Sequence, residues 1–146
     1  MKRSLLPLLL ALTLPCAPAF AGDNISKVNG SISAEAGQSY GNLETVNGGI
    51  KVAEGAVTGR IETVNGDITV GVGSQVEGGI EVKKPNFNLS LTPGRKPRVI
   101  IGPNAAVNGS LQFEREVTLY VHRTARIGPV SGAVAVPFDT DTAPQD

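Results

Sequence analysis

Val28-Asn29-Gly30, Val46-Asn47-Gly48 and Val64-Asn65-Gly66 recur at a spacing of 18 residues. Other columns keep the same step: Ile25, Leu43 and Ile61; Ile32, Ile50 and Ile68; Ala34, Val52 and Val70; Gly37, Gly55 and Gly73. Fixed-period self-similarity is the signature of a repeat architecture, in which one unit cannot bury its apolar face alone and neighbours must stack. Within a unit the apolar residues are β-branched and alternate, as in Ile50-x-Val52 and Ile68-x-Val70-x-Val72. That is the two-residue period of a strand with one face inward, and no helical stripe of useful length competes with it. The expected fold is therefore all-β, a parallel β-solenoid (β-helix) with about 18 residues and about three short strands per coil. Right-handed coiling is the expectation, although the repeat does not decide the hand.

The register predicts an interior built from Val46, Val64, Ile50, Ile68, Val52 and Val70. The Asn-Gly pairs read as bends, because Gly accepts positive φ and Asn tolerates it better than most residues. Asn29, Asn47 and Asn65 should stack as a ladder whose amides satisfy one another.

The repeat weakens toward the C-terminus. A fourth unit begins at Ile80-Glu81-Val82, one residue late, and breaks at Lys83–Arg98. It resumes at Val99, Ile101 and Val107-Asn108-Gly109, with Val117 and Leu119 a further 18 residues on from Val99 and Ile101. The break carries Lys83, Lys84, Arg95, Lys96 and Arg98 with no acid among them. Its middle alternates at Phe87, Leu89 and Leu91, while Pro85, Pro93, Gly94 and Pro97 favour an excursion from the coil. The solenoid domain is expected over 22–137, with the excursion at 83–98 and a disordered acidic tail over 138–146.

The first 21 residues read as a signal peptide. Lys2 and Arg3 precede an apolar run from Leu5 to Leu14, and Ala19 and Ala21 satisfy the small-x-small rule for cleavage after Ala21. A lipoprotein alternative would rest on Cys16, but Pro15 is a poor residue before a lipidated Cys. Cleavage removes the one Cys, so no disulfide can form in the mature chain. It also removes two of the 13 basic residues against 13 acids, leaving a net charge of −2. That balance argues against nucleic acid as a partner.

The unit Thr63-Val64-Asn65-Gly66-Asp67-Ile68, with Thr45–Ile50 before it, resembles the bacterial adhesin-type β-strand repeat family over about residues 25–82. Val99–Gly109 and Ala125-Arg126-Ile127-Gly128 look more like bactofilin-type, polymer-forming β-helices, which usually lack an export signal. The resemblance implies a solenoid, and neither family brings catalytic residues with it.

Chemistry-bearing residues are sparse. His122 is the one His, and solenoid acyltransferases use such a residue as a general base; an edge or surface His is the simpler reading. Glu44, Glu62 and Glu81 fall near one column, which would offer Ca²⁺ a carboxylate ladder or form a solvated face neutralised by Lys and Arg. Asp67 looks isolated. The pattern implies no catalytic residues, no cofactor and no metal. The expected function is a non-catalytic exported envelope protein acting as a structural or adhesin-like interaction scaffold, periplasmic by preference, with the cell surface or secretion as alternatives. A self-assembling, bactofilin-like element joined through the solenoid ends is the other reading, and a glycan-active enzyme a distant third. Lys83, Lys84, Arg95, Lys96 and Arg98 form the candidate patch for an anionic envelope glycan or lipid.

Overall fold

The computed structural model describes residues 22–85 and 95–145. The signal peptide with Cys16 and its cleavage point, the Phe87–Leu91 alternation and Asp146 lie outside the described residues. The described residues contain no helix, and their strands form three parallel sheets. One sheet stacks β1 (Ile25–Asn29), β3 (Leu43–Asn47), β6 (Ile61–Asn65), β9 (Ile80–Val82), β12 (Leu111–Phe113) and β14 (Val130–Ser131) in that order. A second stacks β2 (Ile32–Ala34), β4 (Ile50–Val52), β7 (Ile68–Val70), β10 (Arg98–Ile101), β13 (Thr118–His122) and β15 (Ala135–Phe138). The third, of β5 (Val57–Thr58), β8 (Gln75–Val76) and β11 (Ala106–Val107), closes the central coils. The chain is a β-solenoid of about six coils.

Each coil contributes apolar side chains to one continuous core. Leu43, Ile61, Ile80 and Leu111 stack inside the first sheet, and Ile50, Ile68, Val99 and Leu119 inside the second. Removing each such side chain from water contributes about 1.5–3 kcal/mol, and only stacking makes that possible. At the first coil the same role falls to Tyr40, whose ring packs against the core and whose hydroxyl accepts from the Glu35 amide at 3.0 Å.

Two expectations about the Val-Asn-Gly motif are corrected. Val46 and Val64 do not join the interior: Val46 is exposed and Val64 half-exposed, while Thr45 and Thr63 are buried. Leu43 and Ile61 point inward, so two-residue alternation sends Thr inward and Val outward. The buried hydroxyls are satisfied, Thr45 Oγ1 donating to the Gly30 carbonyl at 3.0 Å and Thr63 Oγ1 to that of Gly48 at 3.3 Å. Nor do the motif's glycines share one reason. Gly30 has a φ of 117°, but at Gly48 and Gly66 the constraint is space: a Cβ at Gly66 would fall 1.8 Å from the Gly48 carbonyl oxygen. Corners stacked this closely exclude any side chain. The Gly37, Gly55 and Gly73 column does sit at positive φ, and Asn104 takes over that conformation in the fourth coil.

The later coils depart from an 18-residue step. Ile61 pairs with Ile80 after 19 residues, Ile80 with Leu111 after 31, and Val99 with Leu119 after 20. Leu119 therefore stacks on Val99 rather than on Ile101, and Val117 precedes β13. A shift of two leaves inward residues inward, which hides it from a pattern search. Val107-Asn108-Gly109 continues from β11, a different corner from the earlier Val-Asn-Gly units. Phe138, assigned to the tail, instead ends β15 and is buried.

Candidate functional site

The corner between the first and second sheets is regular for three coils and then changes. Asn47 Nδ2 donates to Asn29 Oδ1 at 3.1 Å, and Asn65 Nδ2 to Asn47 Oδ1 at 3.1 Å, so the expected ladder forms. In the fourth coil the ladder position is Lys84, where the chain leaves for the excursion. In the fifth it is Arg115, four residues beyond Leu111 as Asn65 is beyond Ile61. Arg115 reaches across the interrupted coil: its Nη1 donates to Asn65 Oδ1 at 2.7 Å and to the Val64 carbonyl at 3.1 Å. An Asn is too short for that span, and a long cation with a rigid fork of donors is suited to it.

The described flanks of the break, residues 83–85 and 95–98, both contact the solenoid. Asp67, which looked isolated, binds the returning chain with both oxygens: Oδ1 accepts from the Arg98 amide at 2.9 Å, and Oδ2 is paired with the Arg95 guanidinium. Lys96 is paired with Glu116, and Lys83 Nζ lies 2.6 Å from Glu62 Oε1. The Lys84 amide donates to Glu114 Oε2 at 3.1 Å. Arg98 lies over the Tyr120 ring, 5.0 Å from its centroid. Among the described residues three of the five predicted cations meet acids: Lys83 at Glu62 on the first sheet, Arg95 at Asp67 and Lys96 at Glu116. Arg98, over Tyr120, lines a different cavity on the second sheet. Around Asn65, Gly66, Asp67, Arg95, Pro97 and Arg115 the corner opens into a cavity of about 310 Å³.

Arg115 is the site residue that sequence reasoning missed. The signal was present: Glu114-Arg115-Glu116 stands where a Val-Asn-Gly corner is due. Its two acidic neighbours turn elsewhere, Glu116 to Lys96 and Glu114 to the Lys84 amide.

The other sequence candidates are placed as follows. Glu44, Glu62 and Glu81 do stack in one column of the first sheet. Arg60 pairs with Glu81 and lies 4.0 Å from Glu62, so the neutralised-face reading describes Glu62 and Glu81. Among the described residues no three His, Cys, Asp or Glu side chains converge as metal ligands would. His122 ends β13 on its outer face, edge-on to Phe138 at 5.1 Å. Thr124 Oγ1 accepts from the Asn104 amide, leaving its hydroxyl to donate to His122 Nδ1 at 2.8 Å. Nδ1 also accepts from the Thr124 amide at 3.2 Å, so the ring caps a turn.

Compared with known proteins, the chain matches no protein-family model, no curated protein sequence and no solved structure.

Proposed function

We propose that the chain is a non-catalytic, exported interaction scaffold whose binding face is the interrupted corner, and that its ligand is anionic material of the cell envelope. The observation that carries this reading is a concentration of cations where the repeat is broken. Lys83, Lys84, Arg95, Lys96 and Arg98 come from the excursion, and Arg115 arrives from the next coil. A solenoid has no need of an excursion for stability. Here the chain makes one at the cost of a break in the ladder, then secures both flanks with ion pairs. Pairing holds the cations in place but offsets their charge. The surplus at the corner therefore rests on Lys84 and Arg115, whose side chains meet no acid side chain among the described residues.

End-to-end assembly into filaments is the competing reading, and both terminal coils carry features that oppose it. In β1, Lys27 occupies the inward register position that Thr45 fills in the next coil, and a charge there resists edge pairing. At the other end, β15 contains Pro137, which has no amide to donate. Both favour a scaffold that stays monomeric.

The test is retention of the purified protein on isolated envelope fractions, at low and high salt, beside a variant with all five excursion cations changed to Gln. The reading expects salt-sensitive retention of the parent and loss in the variant, because the Debye length falls from about 10 Å at 0.1 M to about 3 Å at 1 M. Equal retention of the two proteins contradicts it. Light scattering that grows with concentration would favour the filament instead.

A further inference from the structure

We propose that the cavity at the interrupted corner binds an acidic sugar, its carboxylate held by Arg115 and Arg95 and its hydroxyls by Asp67 and Asn65. This assignment rests on the reading that the interrupted corner is the binding face, and goes on to name the chemistry recognised there.

Arg115 is half-buried, and Nη1 alone holds it to the Asn65 amide and the Val64 carbonyl. Among the described residues, Nε and Nη2 have no hydrogen-bond partner and no carboxylate lies within ion-pair distance of the guanidinium. A guanidinium positioned by neutral acceptors keeps its full charge and a side of its planar fork for a ligand. Planar, paired donors match the two oxygens of a carboxylate. Arg95 supplies a second guanidinium on the cavity wall, partnered by Asp67.

Charge and size narrow the ligand. Among the described residues the lining holds two cations, Arg95 and Arg115, against one carboxylate, Asp67. The single surplus charge suits a monoanion better than a phosphate monoester, which carries about −1.5 to −2. At about 310 Å³ the cavity exceeds what a lone carboxylate needs and sits at the lower end of small-molecule sites. The rest of the described lining is the amide of Asn65 with Gly66 and Pro97. Each Asp67 oxygen already accepts one hydrogen bond and has a further lone pair for a hydroxyl. A polyol bearing one carboxylate satisfies both halves of this lining. A lipid surface would leave the hydroxyl-accepting oxygens of Asp67 unused.

The test uses the protein purified from cells expressing the full chain, titrated with oligogalacturonate, with the same oligosaccharide as its neutral methyl ester, with glucose 1-phosphate and with phosphatidylglycerol vesicles. Calorimetry should show oligogalacturonate binding that weakens about tenfold or more on esterification and again in Arg115→Gln. Arg95→Gln, which leaves the Arg115 bridge intact, should weaken it too. If Arg115→Gln fails to fold, the Arg115 Nε–H resonance of the parent remains a direct reporter and should move on titration. Equal affinity for acid and ester, an unmoved Arg115 resonance, or stronger binding of the vesicles or the sugar phosphate overturns the assignment. Envelope retention that depends on the excursion cations, without oligogalacturonate binding, removes this ligand and leaves the scaffold; loss of both removes the scaffold as well.

Discussion

The second and third coils, from Leu43 to Val76, and the fourth and fifth, from Ile80 to His122, build the same cross-section by different means. In the earlier pair the step is a constant 18 residues, the corner is Asn on Asn, and glycines let one corner rest on the next. In the later pair the steps are 19, 31 and 20, and long charged side chains do the joining: Arg115 to Asn65, Asp67 to Arg95 and to the Arg98 amide, Lys83 to Glu62. The inward columns run on through both regions, with Val82 and Phe113 taking the place of the buried Thr45 and Thr63. Backbone stacking carries the fold in the repeat, and where the repeat fails the core keeps register while side chains close the corner. The place that gives up repetition is also the place that gathers charge.

That contrast can be broken most severely from inside. Ile61→Asp places an unpaired charge in a fully buried position and should cost about 4 kcal/mol or more, abolishing cooperative unfolding. Val64→Asp, three residues away but facing outward, should stay within about 1 kcal/mol of the parent. Thermal denaturation of the two variants measures the alternation directly; similar losses would mean that Val64 is inside after all.

The corner glycines sharpen the comparison at a smaller scale. Gly66→Ala drives a Cβ into the Gly48 carbonyl and should cost about 1–3 kcal/mol, since the neighbouring atom is backbone. Gly55→Ala meets open space but holds a φ of 67°, so its cost should be about 1–2 kcal/mol and independent of packing. Asn47→Ala removes a rung bonded on both sides and should cost about 1 kcal/mol, read from chemical denaturation at unchanged m-value. Lys96→Gln loses an exposed pair and should change stability by less than about 0.5 kcal/mol. A larger effect there would mean that the ion pairs stabilise the domain rather than only position the excursion.

Much of this architecture was legible because a β-solenoid writes its register into its sequence. Ile32, Ile50 and Ile68 are one column at a constant step, and Gly37, Gly55 and Gly73 hold positive φ at each turn. Asn29, Asn47 and Asn65 form a ladder for the same reason. The outward direction of Val46 and Val64 was hidden because Thr45 and Thr63 look polar, and only the bend carbonyls that accept their hydroxyl protons make those positions suitable for burial. The site was half legible. Five cations in one acid-free segment stand out on inspection. Their partners do not, because Asp67 is 28 residues from Arg95 in sequence and Glu116 is 20 from Lys96. Arg115 lies in a coil whose changed step conceals that it occupies the Asn column.

The continuity of the stack across the excursion is the claim on which both fold and site depend, and disulfide trapping tests it most directly. In a chain with Cys16→Ser, the pair Glu81→Cys and Gln112→Cys joins facing residues of β9 and β12 that are 31 positions apart. Adjacent rungs lie about 4.8 Å apart, within the reach of a disulfide. The pair Glu62→Cys and Gln112→Cys spans two rungs, about 9.6 Å, which a disulfide cannot bridge without backbone movement. Under mild oxidation the first pair should close readily and the second should stay reduced. Closure of the second pair at a rate equal to the first, or failure of the first to close at all, would contradict a solenoid that runs unbroken past its interrupted corner.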